Sequence, residues 1–571
     1  MRRHAWLALW GTLLAAKVAA QAPAQGIAPD WPLLGRAKVT EAGKAMVVSA
    51  HPVASEIGRD VLLRGGNAID AAVATFFALA VVHPEAGNLG GGGFMMYRRA
   101  PGYLHALDFR EVAPGAATPT MYVADPATSH TGHLASGVPG SVAGMVEAHR
   151  RFGRLPWRSL LQPAIRLARE GFVIDDFRST SIRNDSTRLS KFPASAAQFL
   201  PNGAPPPVGS TLAQPDLART LEAIRDRRAA GFYRGWVADS LVAEMERGGG
   251  IITRADLRAY RTVWRMPLRL TYRGYTLYSM PPVSSGGVTL GMILNVMEGY
   301  KPLPPFGSPA LLHREAEAFR RAYIERNAKL GDPAFVKNPV TTLTNKRFAA
   351  WLRSTIDTAR ATLTPDAVKI LSEGPSTTHF SVVDAAGNAV SLTTTINSLY
   401  GNAVTVRGAG FLLNDEMDDF MTVPGGANQW GSVDGQVNAI APGKRMLSSM
   451  TPTIVLDARR RVHLLVGSPG GTTIITTVYH ILSNLIDHGM TLADAIAAPR
   501  MFHQARPDSI QFERDKELPA GVPEATVAEL QRLGHGIRYR PLIGDVAAII
   551  RTATGWQAVS DPRRSGGGAG H

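Results

Sequence analysis

Two adjacent threonines, Thr377 and Thr378, open an alternating run, Thr377-Thr378-His379-Phe380-Ser381-Val382-Val383, in a chain without cysteine. Thr377, His379 and Ser381 fall on one face, and Thr378, Phe380 and Val382 on the other, which is the period of a half-buried strand. Ala385-Ala386-Gly387 reads as a three-residue hairpin loop with glycine at its left-handed position. Pairing Asp384 with Asn388 sets Thr377 opposite Thr395. A slip of one residue would move Thr395 to the other face. The chemistry suggested is a hydroxyl nucleophile at a strand start with a second hydroxyl across the hairpin. A threonine hydroxyl attacks only when a base takes its proton, and no strong base is near in sequence. Cleavage of the chain before Thr377 would supply one, the freed α-amine, which titrates at about 7.7–8.0. The preceding Leu371-Ser372-Glu373-Gly374-Pro375-Ser376 has loop composition, suited to exposing such a bond. Taken alone, a Thr-Thr pair at a strand start is better explained by β propensity and nothing more.

The elements that must position these residues are mixed. Ala45 to Ala50 reads as a first strand, and Gly66 to Val82 as a helix ending before Pro84. Residues 155 to 265 alternate amphipathic helices with polar loops, one of them the Pro- and Gly-rich stretch near Pro201 to Pro207. Residues 309 to 330 keep a helical period through Ala310, Leu311, Ala316, Phe319 and Tyr323. A helical half thus leads to the strand at Thr377, with strands expected to dominate up to about Val466. Helices are expected over Ile474 to Ile486 and Leu492 to Ala498, and a disordered Gly-rich tail over 565–571. No internal repeat stands out. The mixture predicts an α/β (α+β) protein with helices covering stacked sheets.

The chain has 571 residues, ordinary hydrophobic content (45%) and a formal net charge of +15. Its arginines are scattered, without interleaved aromatics, which argues against a nucleic-acid site but favours anionic small substrates. The histidines lack metal-ligand spacing and cysteine is absent, so neither a metal nor another cofactor is expected. Arg2, Arg3 and His4 precede an apolar run from Ala5 to Ala16, and small residues follow through Ala22. This predicts a cleavable signal peptide over 1–22 and a periplasmic or secreted protein, with an uncleaved anchor as the alternative. No later segment is long and apolar enough to cross a membrane.

The run Thr377-Thr378-His379-Phe380-Ser381-Val382-Val383-Asp384 resembles the small-subunit start of the γ-glutamyltransferases, which are N-terminal-nucleophile enzymes. The likeness covers nearly all of the chain after the leader. It runs through Gly66-Asn67-Ala68-Ile69-Asp70, Asn88-Leu89-Gly90-Gly91-Gly92-Gly93, Asp108-Phe109-Arg110-Glu111 and Ser136-Gly137-Val138-Pro139-Gly140. It continues through Pro281-Pro282-Val283-Ser284-Ser285-Gly286-Gly287, Leu413-Asn414-Asp415-Glu416-Met417-Asp418-Asp419, Leu447-Ser448-Ser449-Met450 and Gly467-Ser468-Pro469-Gly470-Gly471. The resemblance implies a four-layer αββα sandwich, cut into a large subunit (23–376) and a small subunit (377–571) that together form a heterodimer.

It also implies roles. Thr377 would attack the Ser376 carbonyl in the precursor, and in the mature enzyme a γ-glutamyl amide, passing the acyl group to water or an acceptor amine. Thr395 matches the hydroxyl beside the nucleophile, and Gly470 and Gly471 the oxyanion hole. Arg110, Ser448 and Ser449 match groups on the substrate α-carboxylate; Asn397, Glu416 and Asp419 match those on its α-ammonium. Gly467-Ser468-Pro469-Gly470-Gly471 is not a GxSxG elbow, so Ser468 is not a nucleophile candidate. Trp430 stands where some bacterial relatives carry a tyrosine lid, at the end of the loop from Pro424. His379, Asn67, Asp70 and the glycines at 90–93 read as scaffold. Expected donors are glutathione and related γ-glutamyl compounds, and expected acceptors are amino acids or peptides. The alternatives are a cephalosporin (glutaryl) acylase of the same fold, a transpeptidase acting on poly-γ-glutamate, and an unprocessed, inactive binding protein.

Overall fold

The computed structural model describes residues 26–364, 377–433, 435–516 and 518–571. The expected leader, the loop Leu371 to Ser376 and Ser376 itself lie outside the described residues.

The hairpin forms as its loop composition predicts. Strands Thr377–Val383 and Ala389–Thr395 pair antiparallel, with Thr377 opposite Thr395. Gly387 takes φ +79°, and the Asp384 side chain accepts from the amides of Ala386 and Asn388, so the turn pins the register locally. Both strands are buried along their whole length, because they lie at the centre of a seven-stranded sheet. Their outer partners are Met46–Ser49 on one side and Gly92–Arg99, followed by Tyr103–Asp108, on the other.

A second seven-stranded sheet includes Thr453–Leu456, Val462–Val466 and Tyr275–Ser279. The alternation along the strands says what each face meets. Val383, Ile454, Leu456 and Leu465 share a core between the sheets with Met46, Val48, Phe94 and Met96. Phe380, Val382 and Val390 turn the other way, onto helices Pro52–Leu63 and Ala68–Val82. Val455, Leu464 and Val466 face helices Gly286–Glu298, Pro309–Lys329 and Ile474–Ile486. Helix, sheet, sheet and helix thus stack as four layers around two outer cores and one inner one.

Two expectations are corrected. The tail is not disordered: Gly567–Gly570 is a strand at the edge of the first sheet, paired with Met46–Ser49. Glycine is present there for closeness of approach, since a Cβ on Gly570 would stand 2.6 Å from the Ala42 Cβ and from the Ala45 carbonyl oxygen. Strands also do not dominate between the hairpin and Val466. Among the described residues, the chain from 396 to 452 forms only short 3-10 turns and isolated bridges, and it supplies most of the site. Conversely, Gly92–Arg99 and Tyr103–Asp108 fall in the half expected to be helical. Among the described residues no helix is long and apolar enough to cross a membrane.

Candidate active site

Thr377 sits at the sheet's end, its hydroxyl 3.3 Å from that of Thr395. The Thr395 hydroxyl also accepts from the Asn397 amide at 2.8 Å. Asn397 carries φ +72°, a conformation non-glycine residues rarely take, and its side chain holds it there. Its Nδ2 donates to the Asp415 carbonyl, and its Oδ1 accepts from the Trp430 indole N–H at 3.1 Å. That bond ties the loop from Pro424 to the segment that follows the Thr395 strand, through an indole N–H. The Asn428 side chain closes the loop's turn by accepting from the amides of Trp430 and Ser432, and Gln504 donates to the Trp430 carbonyl.

Trp430 covers Gly471: a Cβ there would lie 2.9 Å from the indole ring. Gly470 and Gly471 have φ of +135° and +56°, which suits glycine and lets the chain turn sharply between the strand ending at Val466 and the helix from Ile474. A small pocket, partly open to solvent, is lined by Thr377, Thr395, Asn397, Arg110, Glu416, Asp419, Ser448, Ser449, Trp430 and Gly471. Of the described residues given catalytic or binding roles by resemblance, all but Gly470 are in this lining.

Arg110 is fully buried, its amide fastened to Asp108 and its carbonyl to the Tyr260 hydroxyl. Its guanidinium meets Glu416 at 2.5 Å, pairs with Asp419, and lies 3.6 Å from Glu111. The residues expected to hold opposite ends of a ligand therefore touch one another. One guanidinium cannot neutralise three carboxylates where their side chains are buried or mostly buried. Burial pushes Glu111 up to about 8 and raises Glu416 well above the usual carboxylate range, so this cluster keeps protons near neutrality.

Ser448 and Ser449 are propped from behind. The Ser285 amide and hydroxyl both donate to the Ser448 carbonyl, and Ser448 donates its own amide to the Val283 carbonyl. Two motifs distant in sequence thereby become one wall. Asn414 performs the same task elsewhere, bridging Gly90 and Gly137. His379 is structural: it bonds Thr393 and Ser381, and burial lowers it to about 3, so it stays neutral. Its ring fills the space a side chain on Gly467 would take. Asn67 and Asp70 form a capping box on helix Ala68–Val82. Asn428, Thr472 and Arg326 line the cavity without having been singled out from sequence; Arg326 is buried in the last turn of helix Pro309–Lys329. A charged residue in a helix with charges at many positions carries no local signal of burial.

The family model described as gamma-glutamyltranspeptidase matches residues 54–571. The chain belongs to the γ-glutamyltranspeptidase family. A glutathione hydrolase proenzyme from Pseudomonas sp. (strain A14) is 47% identical over 482 residues, covering 83% of this chain and 84% of that protein. The crystal structure of a cephalosporin acylase from Bacillus halodurans superposes with a TM-score of 0.82 at 27% identity, covering 93% of this chain and 97% of that one. A chain of Helicobacter pylori gamma-glutamyltranspeptidase aligns at 44% identity with a TM-score of 0.54, covering 56% of this chain and 93% of that one. As a member of this family the chain is an enzyme of the N-terminal-nucleophile fold.

Proposed function

We propose that this protein is a self-cleaving γ-glutamyltransferase and glutathione hydrolase that acts through Thr377. In the precursor, the Thr377 hydroxyl attacks the Ser376 carbonyl carbon. The peptide C–N bond breaks as the nitrogen takes a proton, leaving an ester. Water hydrolyses the ester, freeing a large subunit ending at Ser376 and a small subunit whose α-amine is now the base. In turnover, that amine takes the hydroxyl proton as Thr377 attacks the γ-glutamyl amide carbon. The developing oxyanion is met by backbone N–H groups at Gly470 and Gly471, a stabilisation worth about 2.7–4 kcal/mol per donor. The leaving amine takes a proton, and water or an acceptor amine then resolves the γ-glutamyl ester.

One observation carries this reading: Arg110 and Asp419 pair within the cavity that Thr377 opens into. A γ-glutamyl group bears its carboxylate and ammonium on one carbon, and a contacting cation and anion match that zwitterion. Ser448 and Ser449 add hydroxyls on the carboxylate side, and Asn397 and Glu416 add acceptors on the ammonium side. A glutaryl acylase has less use for the acidic wall. The two subunits are read as a heterodimer, exported by the leader over 1–22 to the periplasm or beyond.

A denaturing gel of the protein beside Thr377→Ala tests the maturation. Two fragments, the smaller beginning Thr377-Thr378-His379, are expected only in the wild type; an uncleaved wild type would return the choice to an inactive binder. Matched assays with γ-glutamyl and glutaryl anilides then test the substrate, and preference for the glutaryl compound would favour the acylase.

A further inference from the structure

Arg326 makes no contact that helix formation requires of it, yet its guanidinium reaches three separate segments around the cavity. Nε donates to the Ser285 hydroxyl at 3.0 Å, Nη1 to the Ser432 hydroxyl at 3.2 Å, and Nη2 to the Ser449 hydroxyl at 3.1 Å. Nη1 also donates to Asn327 Oδ1 of its own helix at 2.6 Å. Ser285 belongs to the wall behind Ser448, Ser432 closes the loop that carries Trp430, and Ser449 lines the cavity.

We propose that Arg326 is a positioning residue that aims the Ser449 hydroxyl at the substrate α-carboxylate and ties that wall to the foot of the Trp430 loop. This rests on reading the cavity as a γ-glutamyl site. A hydroxyl has one proton and two lone pairs. Where a guanidinium donates to the oxygen from behind, the hydroxyl proton turns away from the positive charge and towards the cavity. Ser448 is treated alike, since its oxygen accepts from the Met450 amide at 3.1 Å. Among the described residues neither hydroxyl donates to a protein acceptor, so both present protons to an incoming carboxylate. The guanidinium fork makes these bonds in one plane with three nitrogens, a geometry an ammonium cannot copy.

The test is a double-mutant cycle of Arg326→Met and Ser449→Ala, assayed with a γ-glutamyl anilide on protein shown by gel to have matured. Each single variant is expected to raise KM about tenfold with kcat within threefold. The double variant is expected to be little worse than either, because both remove the same oriented donor. Arg326→Lys, which keeps the charge and loses the fork, is expected to fall between wild type and Arg326→Met, and carries the same comparison if the methionine variant does not fold. Multiplicative losses, a fall in kcat and maturation together, or a KM equal to wild type would each overturn the proposal. Failure of both Arg326 variants to fold would assign the residue to the scaffold instead. A matured wild type that does not cleave the γ-glutamyl anilide would instead remove the reading of the cavity itself, an outcome distinct from all of these.

Discussion

Replacing Thr395 by valine keeps the branched shape in a buried strand and deletes one oxygen. That oxygen has two visible tasks: it accepts the Asn397 amide at 2.8 Å, and it stands 3.3 Å from the Thr377 hydroxyl. Losing the first leaves a buried N–H unpaired, at a cost of about 1–3 kcal/mol in stability. Asn397 is then held at its positive φ by its side chain alone. Losing the second frees the nucleophile's hydroxyl to rotate away from the attack direction. A hydrogen bond of about 1 kcal/mol, together with the displaced Asn397, corresponds to a kcat loss of about 10- to 100-fold. KM should rise about three- to tenfold through the displaced Asn397, and no further, because Arg110, Ser448 and Ser449 sit on other segments. The assay is steady-state release of p-nitroaniline from a γ-glutamyl anilide by matured enzyme, with thermal unfolding measured alongside. A variant that loses stability yet keeps kcat within twofold of wild type would refute a role for this hydroxyl in attack and leave Thr395 as a structural strand residue.

Gly471→Ala should be costlier than its size suggests, since alanine at φ +56° is strained and its Cβ would press the Trp430 ring at 2.9 Å. We expect kcat to fall at least tenfold, checked with the same anilide, with a smaller loss in the double variant Gly471→Ala/Trp430→Phe. Trp430→Phe alone removes the donor to Asn397 and should raise KM about three- to tenfold, while Trp430→Tyr, which can still donate, should raise it less. Acid should unfold the protein from below about pH 6.5, read by circular dichroism across a pH series. Burial holds His379 and His480 at about 3, so the unfolded chain binds protons that the folded one refuses. Their contribution is fully present above 6.5 and is lost as pH falls towards 3, at up to about 1.4 kcal/mol per histidine per pH unit. His379→Asn should flatten that slope.

Local rules settled a good deal before any fold was known. The pairing of Thr377 with Thr395 follows from Asp384, Gly387 and Asn388, because a short turn transmits its register along both strands. The helices over Ala68–Val82 and Ile474–Ile486 follow from continuous apolar character bounded by Asn67 and Pro84, or by Gly471 and Asp487. Motif resemblance picked out Arg110, Asp419, Ser448 and Ser449, and the fold brings all four to one cavity with Thr377.

Only the tertiary structure decided who touches whom. That Arg110 pairs with Asp419, that Trp430 donates to Asn397, and that Arg326 lies behind Ser449 are contacts between segments about 30 to 300 residues apart. No local period records them. The Gly567–Gly570 tail shows the same limit from the other side. Its composition reads as disorder, while its glycines are small because another strand and a neighbouring sheet press against them. Sequence determines conformation where the partners lie within a turn or a helix face. Where the partners arrive only after two sheets have stacked, the same residues take their meaning from the packing.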